Sequence, residues 1–240
     1  MMAAIGHFVL VVLLTFSFAA PSGAHMNPNI TLATMLIGHT TVYRYLMYTV
    51  FQFSGGMLGA MLMRLSLGWD DVHATDLAAC SRGVLKPYSA LTITAVVFHM
   101  LLCVIGGVAF DPAQSKVFGP IVAPIIIAGA IFLIIYATSA VGEGFGPGLN
   151  WVECWTKSAV TGEWNGDEWI SLVGPTIACC VHSLLFVLVP PTHSDSGTFR
   201  LPLLEPLRRA EEKANLEKKQ RERRIKWVSN PTMDNNPNIQ

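Results

Sequence analysis

Apolar residues gather in five long blocks, at 3–20, 43–66, 89–110, 118–139 and 168–190. A block of about twenty apolar residues is long enough to cross a bilayer as a helix. The pattern therefore predicts five spans. Polar stretches separate them. Residues 67–88 carry Asp70, Asp71, Asp76, Arg82 and Lys86 and read as a polar loop. Residues 140–149 are Gly-rich and read as non-helical. Residues 200–227 read as a charged helix, with Glu217/Arg221 and Glu222/Lys226 spaced as favourable i,i+4 pairs. This divides the chain into a membrane domain, 1–199, and a charged tail, 200–240.

Two readings fit the first block, which is apolar apart from His7, Thr15 and Ser17. One is a cleaved signal, with small residues at Ala19, Ala20 and Ala24. The other is a transmembrane helix. No Lys or Arg precedes the apolar core, and a basic n-region belongs to the signal pattern. The helix reading is preferred, because the stretch that follows needs a membrane around it.

That stretch is Ser22-Gly23-Ala24-His25-Met26-Asn27-Pro28-Asn29-Ile30-Thr31-Leu32. Asn is a preferred helix N-cap, since its side-chain oxygen accepts a free backbone N–H of the first turn. Proline at the next position loses nothing, because its missing N–H would have had no intrahelical partner. A short helix is predicted to start at Asn27. A polar helix start among apolar spans is tolerated in lipid only where it is buried in protein or lines a cavity.

Composition agrees: 52% of residues are hydrophobic and 13% charged, with mean hydropathy +0.45. The charged fraction is about half that of a soluble domain. Ten of the sixteen Lys/Arg lie between Arg200 and Lys226. By the positive-inside rule this places the tail in the cytoplasm. The patch Arg221–Lys226 is suited to anionic lipid, and a solvated tail is the plainer alternative. The basic residues are mixed with acids and lack an aromatic-lined patch, so nucleic acid is not an expected partner. The five cysteines, 80, 103, 154, 179 and 180, show no metal spacing. Cys103, Cys179 and Cys180 sit in apolar runs and read as small hydrophobes. Gly55 and Gly59 share a helix face and predict close approach of a second helix. Gln52 is expected to face protein, because an amide in a span needs partners. Trp151, Trp155, Trp164 and Trp169 lie where an interfacial aromatic belt is expected.

Several of these motifs resemble the aquaporin family, the major intrinsic proteins. Ser22 to Pro28 followed by Ile30-Thr31-Leu32-Ala33 is similar to the family's first signature. Tyr48…Gln52-Phe53-Ser54-Gly55 resembles its third helix, and Trp169-Ile170…Val173-Gly174-Pro175 the start of its last. Gly146-Pro147-Gly148-Leu149-Asn150 aligns with the approach to its second signature. The resemblance runs from about residue 5 to residue 190. It implies two inverted repeats whose half-helices meet at the membrane centre. The fold expected is an all-α, aquaporin-like bundle of five spanning helices and two re-entrant half-helices. Signature residues would be Asn27, Pro28 and Asn29 in the first half, and Asn150, Trp151 and Val152 in the second. Candidate filter residues are His7, Tyr136 or Thr138, and Glu153.

The resemblance breaks at named places. The chain begins at what would be the family's second helix, which suggests a truncated product or a partner at that flank. Trp151 stands in the proline position of the second signature, with a ring large enough to narrow a pore. Glu153 stands where the family usually carries Arg, reversing the sign of the charge. There it attracts cations or sits protonated, because burial disfavours the charged form. It also fits a capping box with Asn150. The fourth helix lacks the family's buried Glu, having only Thr92 and Thr94, so the second re-entrant loop must be held differently. Cys154 is small at a position where glycerol facilitators tend to carry Asp, which leans toward water. Asn29-Ile30-Thr31 is a glycosylation sequon that the fold would bury, so no glycan is expected.

The function implied is passive permeation of water or a small neutral solute, by a multi-pass protein assembled as a homotetramer. No cofactor or metal is expected. The alternatives are a non-conducting relative with a structural or regulatory role, and a processed secreted or membrane-attached protein. Glu153, His182 and Cys154 form no nucleophile–base motif, so an enzyme is not expected.

Overall fold

The computed structural model describes residues 2–68, 80–188 and 216–217. Asp70, Asp71 and Asp76, Pro190 and Pro191, and the proposed tail pairs and basic patch lie outside the described residues.

The five apolar blocks are helices: α1 (Met2–Ser22), α3 (Val42–Leu67), α4 (Pro87–Ile105), α5 (Pro112–Thr138) and α7 (Glu168–Leu188). All five are long and apolar enough to cross a membrane. Between them sit two short helices, α2 (Pro28–Leu36) and α6 (Trp151–Thr161). The third block is not one regular helix. Its last turn, Gly106–Phe110, widens to π geometry. The fourth block begins irregularly, because Gly119 takes φ 61 and Pro120 follows it. A left-handed glycine and a residue without an N–H both interrupt helical bonding. Two two-residue strands, β1 (Ser81–Arg82) and β2 (Phe145–Gly146), pair antiparallel, with Ser81 opposite Gly146 and Arg82 opposite Phe145.

Packing follows a two-fold pattern. α1 packs on α5, while α2 packs on α7 in the way that α6 packs on α3. Exchanging α1, α2 and α3 for α5, α6 and α7 maps these contacts onto one another, as inverted repeats require. α4 lies against α7. Phe98, Leu101, Leu102 and Ile105 of α4 form a core with Ala178 and Cys179 of α7 and Ala33 of α2. The first half has no equivalent of α4 among the described residues, and no residue of α3 is buried.

The close approach to α3 occurs at Gly56, rather than at Gly55 and Gly59. A Cβ on Gly56 would lie 2.5 Å from Val152 Cγ1, whereas nothing lies within 4 Å of one on Gly55 or Gly59. Sequence spacing identified the helix but not its packed face. Gly56→Ala is therefore expected to cost about 1–3 kcal/mol by overpacking. Gly59→Ala is expected to leave the unfolding midpoint unchanged or raised, since alanine is the better helix former. Thermal unfolding of the two variants in detergent checks this.

Candidate permeation site

Each short helix begins at an asparagine whose backbone is extended, Asn27 at φ −152 and Asn150 at φ −130. Asn27 Oδ1 accepts from the N–H of Asn29 at 2.9 Å, and Asn150 Oδ1 accepts from Val152 at 3.2 Å. The cap predicted from Asn27-Pro28 is therefore formed, and its counterpart forms with tryptophan at N1.

The amide nitrogens join the two halves. Asn27 Nδ2 donates to the carbonyl of Leu149 at 2.9 Å, and Asn150 Nδ2 donates to that of Met26 at 3.2 Å. Each cap thus bonds the residue just before the other cap. The two helix N-termini face one another, and both caps are equally buried, at 8% exposure. Asn29 is deeper still, its amide directed at the carbonyls of Leu149 and Ser171 at 3.4 Å. Its sequon is part of the interior.

The approach to Asn27 is strained. Ala24 and Met26 both have left-handed φ, 47 and 48. Such conformations in non-glycine residues persist only when their surroundings enforce them. Here Tyr48 Oη donates to the carbonyl of Ser22 at 3.1 Å. The His25 ring packs edge-on to Tyr48 and lies 3.2 Å from Thr31 Oγ1. Gln52 Nε2 donates to the same Thr31 oxygen at 3.4 Å, so it faces protein as expected.

The second re-entrant loop is held without a buried acid on α4. Three ties replace it. Cys80 is disulfide-bonded to Cys154, in the first turn of α6. The β1–β2 ladder fastens the same segment to residues 145–146. Arg82 pairs with Asp167, Nε to Oδ2, at 2.9 Å. At the far end of α6, Glu168 Oε1 accepts from Ser158 Oγ and from the N–H of Asn165, both at 2.9 Å. The Cys80–Cys154 and Arg82–Asp167 pairings were not evident from spacing, since their members lie 74 and 85 positions apart. The disulfide also removes the reasoning that Cys154 is a small pore-side residue. Its sulfur is bonded to Cys80 and sits so close to Gly148 that a Cβ there would be 2.8 Å away.

Of the filter candidates, His7 and Glu153 are brought within electrostatic reach of one another, though 146 positions apart in sequence. Glu153 also accepts from Asn150 Nδ2 at 3.0 Å, so both N–H groups of Asn150 are engaged. This is a side-chain variant of the capping-box expectation, with the amide rather than the backbone N–H as donor. The Glu153 residue is exposed. Thr138 is buried, with its hydroxyl donating to the carbonyl of Ile134 at 2.7 Å. Tyr136 is 52% exposed and stacks on Phe132. Trp151 stacks on Phe53 of α3 and meets Trp155 edge-on, which continues to Trp164. Its ring is thereby seated between α6 and α3.

The family described as Major intrinsic protein matches residues 1–186 of this sequence. The chain belongs to that family. It is 30% identical over 200 residues to a probable aquaporin TIP4-2 of Oryza sativa subsp. japonica, covering 81% of this chain and 72% of that protein. It is 31% identical over 191 residues to aquaporin TIP1-1 of Zea mays, covering 77% and 71%. This major intrinsic protein is a multi-pass membrane protein of a channel family whose members pass water or small solutes. It is not an enzyme.

Proposed function

We propose that this chain conducts water between the two capped half-helices, along a path that passes His7 and Glu153. The reciprocal bonding of Asn27 to Leu149 and Asn150 to Met26 carries the reading. It sets two helix N-termini, each with a partial positive charge, against one another inside the membrane domain. Such opposed dipoles disfavour cations while leaving a neutral solute free to pass. Asn27 has a second amide N–H with which to donate to water in transit. Asn150 has none, because Glu153 takes it. The relatives' names favour water as the solute.

Glu153 gives this path a carboxyl group where the family's pattern has a positive one. His7 lies within electrostatic reach of it. Trp151, docked on Phe53, leaves the lumen to these smaller groups. The disulfide supports an orientation as well. Cys80 lies in the loop that leads into α4 and Cys154 in the first turn of α6, and disulfides persist in oxidising compartments. α7 then carries the basic tail to the opposite, cytoplasmic face, in agreement with the charge rule. A homotetramer is proposed from the family resemblance, and the mass of the detergent-solubilised complex checks it.

Osmotic shrinkage of proteoliposomes, followed by light scattering, tests the function. Water-driven shrinkage well above that of empty vesicles is expected, with slower glycerol entry. A pH dye inside the vesicles reads proton leak, and Glu153→Gln is expected to lower any leak while keeping water flux. A folded preparation no faster than empty vesicles overturns the proposal.

A further inference from the structure

Outside the permeation path, two histidines and a cysteine converge where α4 meets α7. His99 and Cys103 are one helical turn apart on α4, and His182 comes from α7. One ligand atom from each residue lies within 4.8 Å of the other two. Cys103 Sγ is 3.6 Å from His99 Nε2 and 3.8 Å from His182 Nδ1. Zinc bonds of about 2.3 Å to sulfur and about 2.0 Å to nitrogen, at a tetrahedral angle, set sulfur and nitrogen about 3.5 Å apart. Both sulfur–nitrogen edges therefore already have nearly the span of a metal site. The i,i+4 spacing puts two ligands on one face of α4, and the third is supplied across a packed interface.

The surroundings favour a held ligand set. His182 is buried at 8% exposure and stacks on Phe186. Gly106 packs against it, so that a Cβ there would lie 3.4 Å from His182 Nε2. The His99 and His182 rings meet edge-on at 5.6 Å. Cys103 is exposed on the outer face of α4, which leaves one side of the triangle uncovered by protein for a fourth ligand. The π turn Gly106–Phe110 begins three residues beyond Cys103, and such turns are frequent at functional sites. At 1.5 Å per residue the cluster lies about 10 Å from the end of that turn. This is the half of the bilayer nearer the C-terminus of α7.

We propose that His99, Cys103 and His182 form a three-ligand site for a zinc-class divalent transition-metal ion, with water or another exogenous group completing the shell. The ion joins α4 to α7 on the flank of the domain, separate from the permeation path. Cysteine spacing gave no sign of it, because two of the three ligands are histidines and one of these lies 79 residues after the cysteine.

Full-length protein, purified metal-free in detergent, is titrated with Co2+ as the spectroscopic probe. The result expected is one Co2+ per chain, a thiolate-to-cobalt charge-transfer band, and displacement by Zn2+. The band is lost in Cys103→Ser and kept in Cys180→Ser, whose thiol is exposed on α7 but outside the cluster. His182→Asn weakens binding by about ten-fold or more, since even outer-shell changes cost 10–100-fold. No band in the wild type, or a band that survives Cys103→Ser, overturns the proposal. A second measurement needs no variant. Zn2+ slows maleimide labelling of Cys103, mapped by peptide, and an unchanged rate overturns the site independently of whether variants fold.

Discussion

Asn150→Ala is expected to lower the stability of this protein by about 2–4 kcal/mol and to abolish its water flux. The alanine removes a cap, which alone costs about 0.5–2 kcal/mol. It also removes the bonds to Met26 and Glu153. A partly buried carbonyl left without its donor costs up to about 1–3 kcal/mol more. Asn27→Ala is expected to behave alike, because the arrangement is reciprocal. Asn150→Asp separates the two roles. Aspartate caps a helix as well as asparagine does, yet it donates nothing to Met26 and sets a second carboxylate beside Glu153. If the contact between the half-helices matters beyond the cap, Asp fails as badly as Ala. Thermal unfolding and osmotic flux on the same preparations read both effects. A midpoint and flux unchanged in Asn150→Ala would refute the reading of the caps.

Cys80→Ser is the second large effect. The disulfide closes a loop between residues 74 apart in sequence. Loss of such a bond typically costs about 2–4 kcal/mol. Among the described residues the loop keeps the short β1–β2 ladder, the Val84 N–H donating to the carbonyl of Glu143, and the Arg82–Asp167 pair, whose Arg82 side chain is 40% exposed. An ion pair of that exposure contributes at most about 1 kcal/mol. The unfolding midpoint should fall, and water flux with it, because Cys154 sits in the first turn of the half-helix that Asn150 caps. Cys154→Ser should lose as much as Cys80→Ser, and the double variant no more than either, since one bond is removed in each case. Additive losses would show that the two cysteines act separately. A reducing agent should reproduce the loss in the wild type.

Much of this architecture is legible in the chain. Five apolar blocks of spanning length become five helices, because in lipid the backbone must bond within its own segment. Asn27-Pro28 starts a helix because cap and ring both suit the first turn, and Asn150 does the same without proline. The resemblance foresaw that the two starts oppose one another. It did not foresee their exchange of side-chain bonds with each other's preceding carbonyl, nor the diversion of Asn150's second N–H to Glu153. Pairings between distant loops were not legible. Nothing in spacing selects Cys80 as the partner of Cys154, or Arg82 as that of Asp167. The packed face of α3 was misplaced by one residue, because Gly55, Gly56 and Gly59 are equivalent until a partner helix is present. The same limit hid the His99, Cys103 and His182 cluster, of which only the pair on α4 is visible in sequence.

The proposed permeation path passes His7 and Glu153, and a thiol introduced at position 7 tests it most directly. His7→Cys is made in a background with Cys103 and Cys180 replaced by serine, reconstituted, and treated with a small water-soluble thiol reagent. Cys179 is buried, its thiol donating to the carbonyl of Asn29, and stays in place. Labelling is expected to stop osmotic water flux in the His7→Cys protein and to leave the background protein unaffected. Full labelling at position 7 with flux unchanged would contradict it.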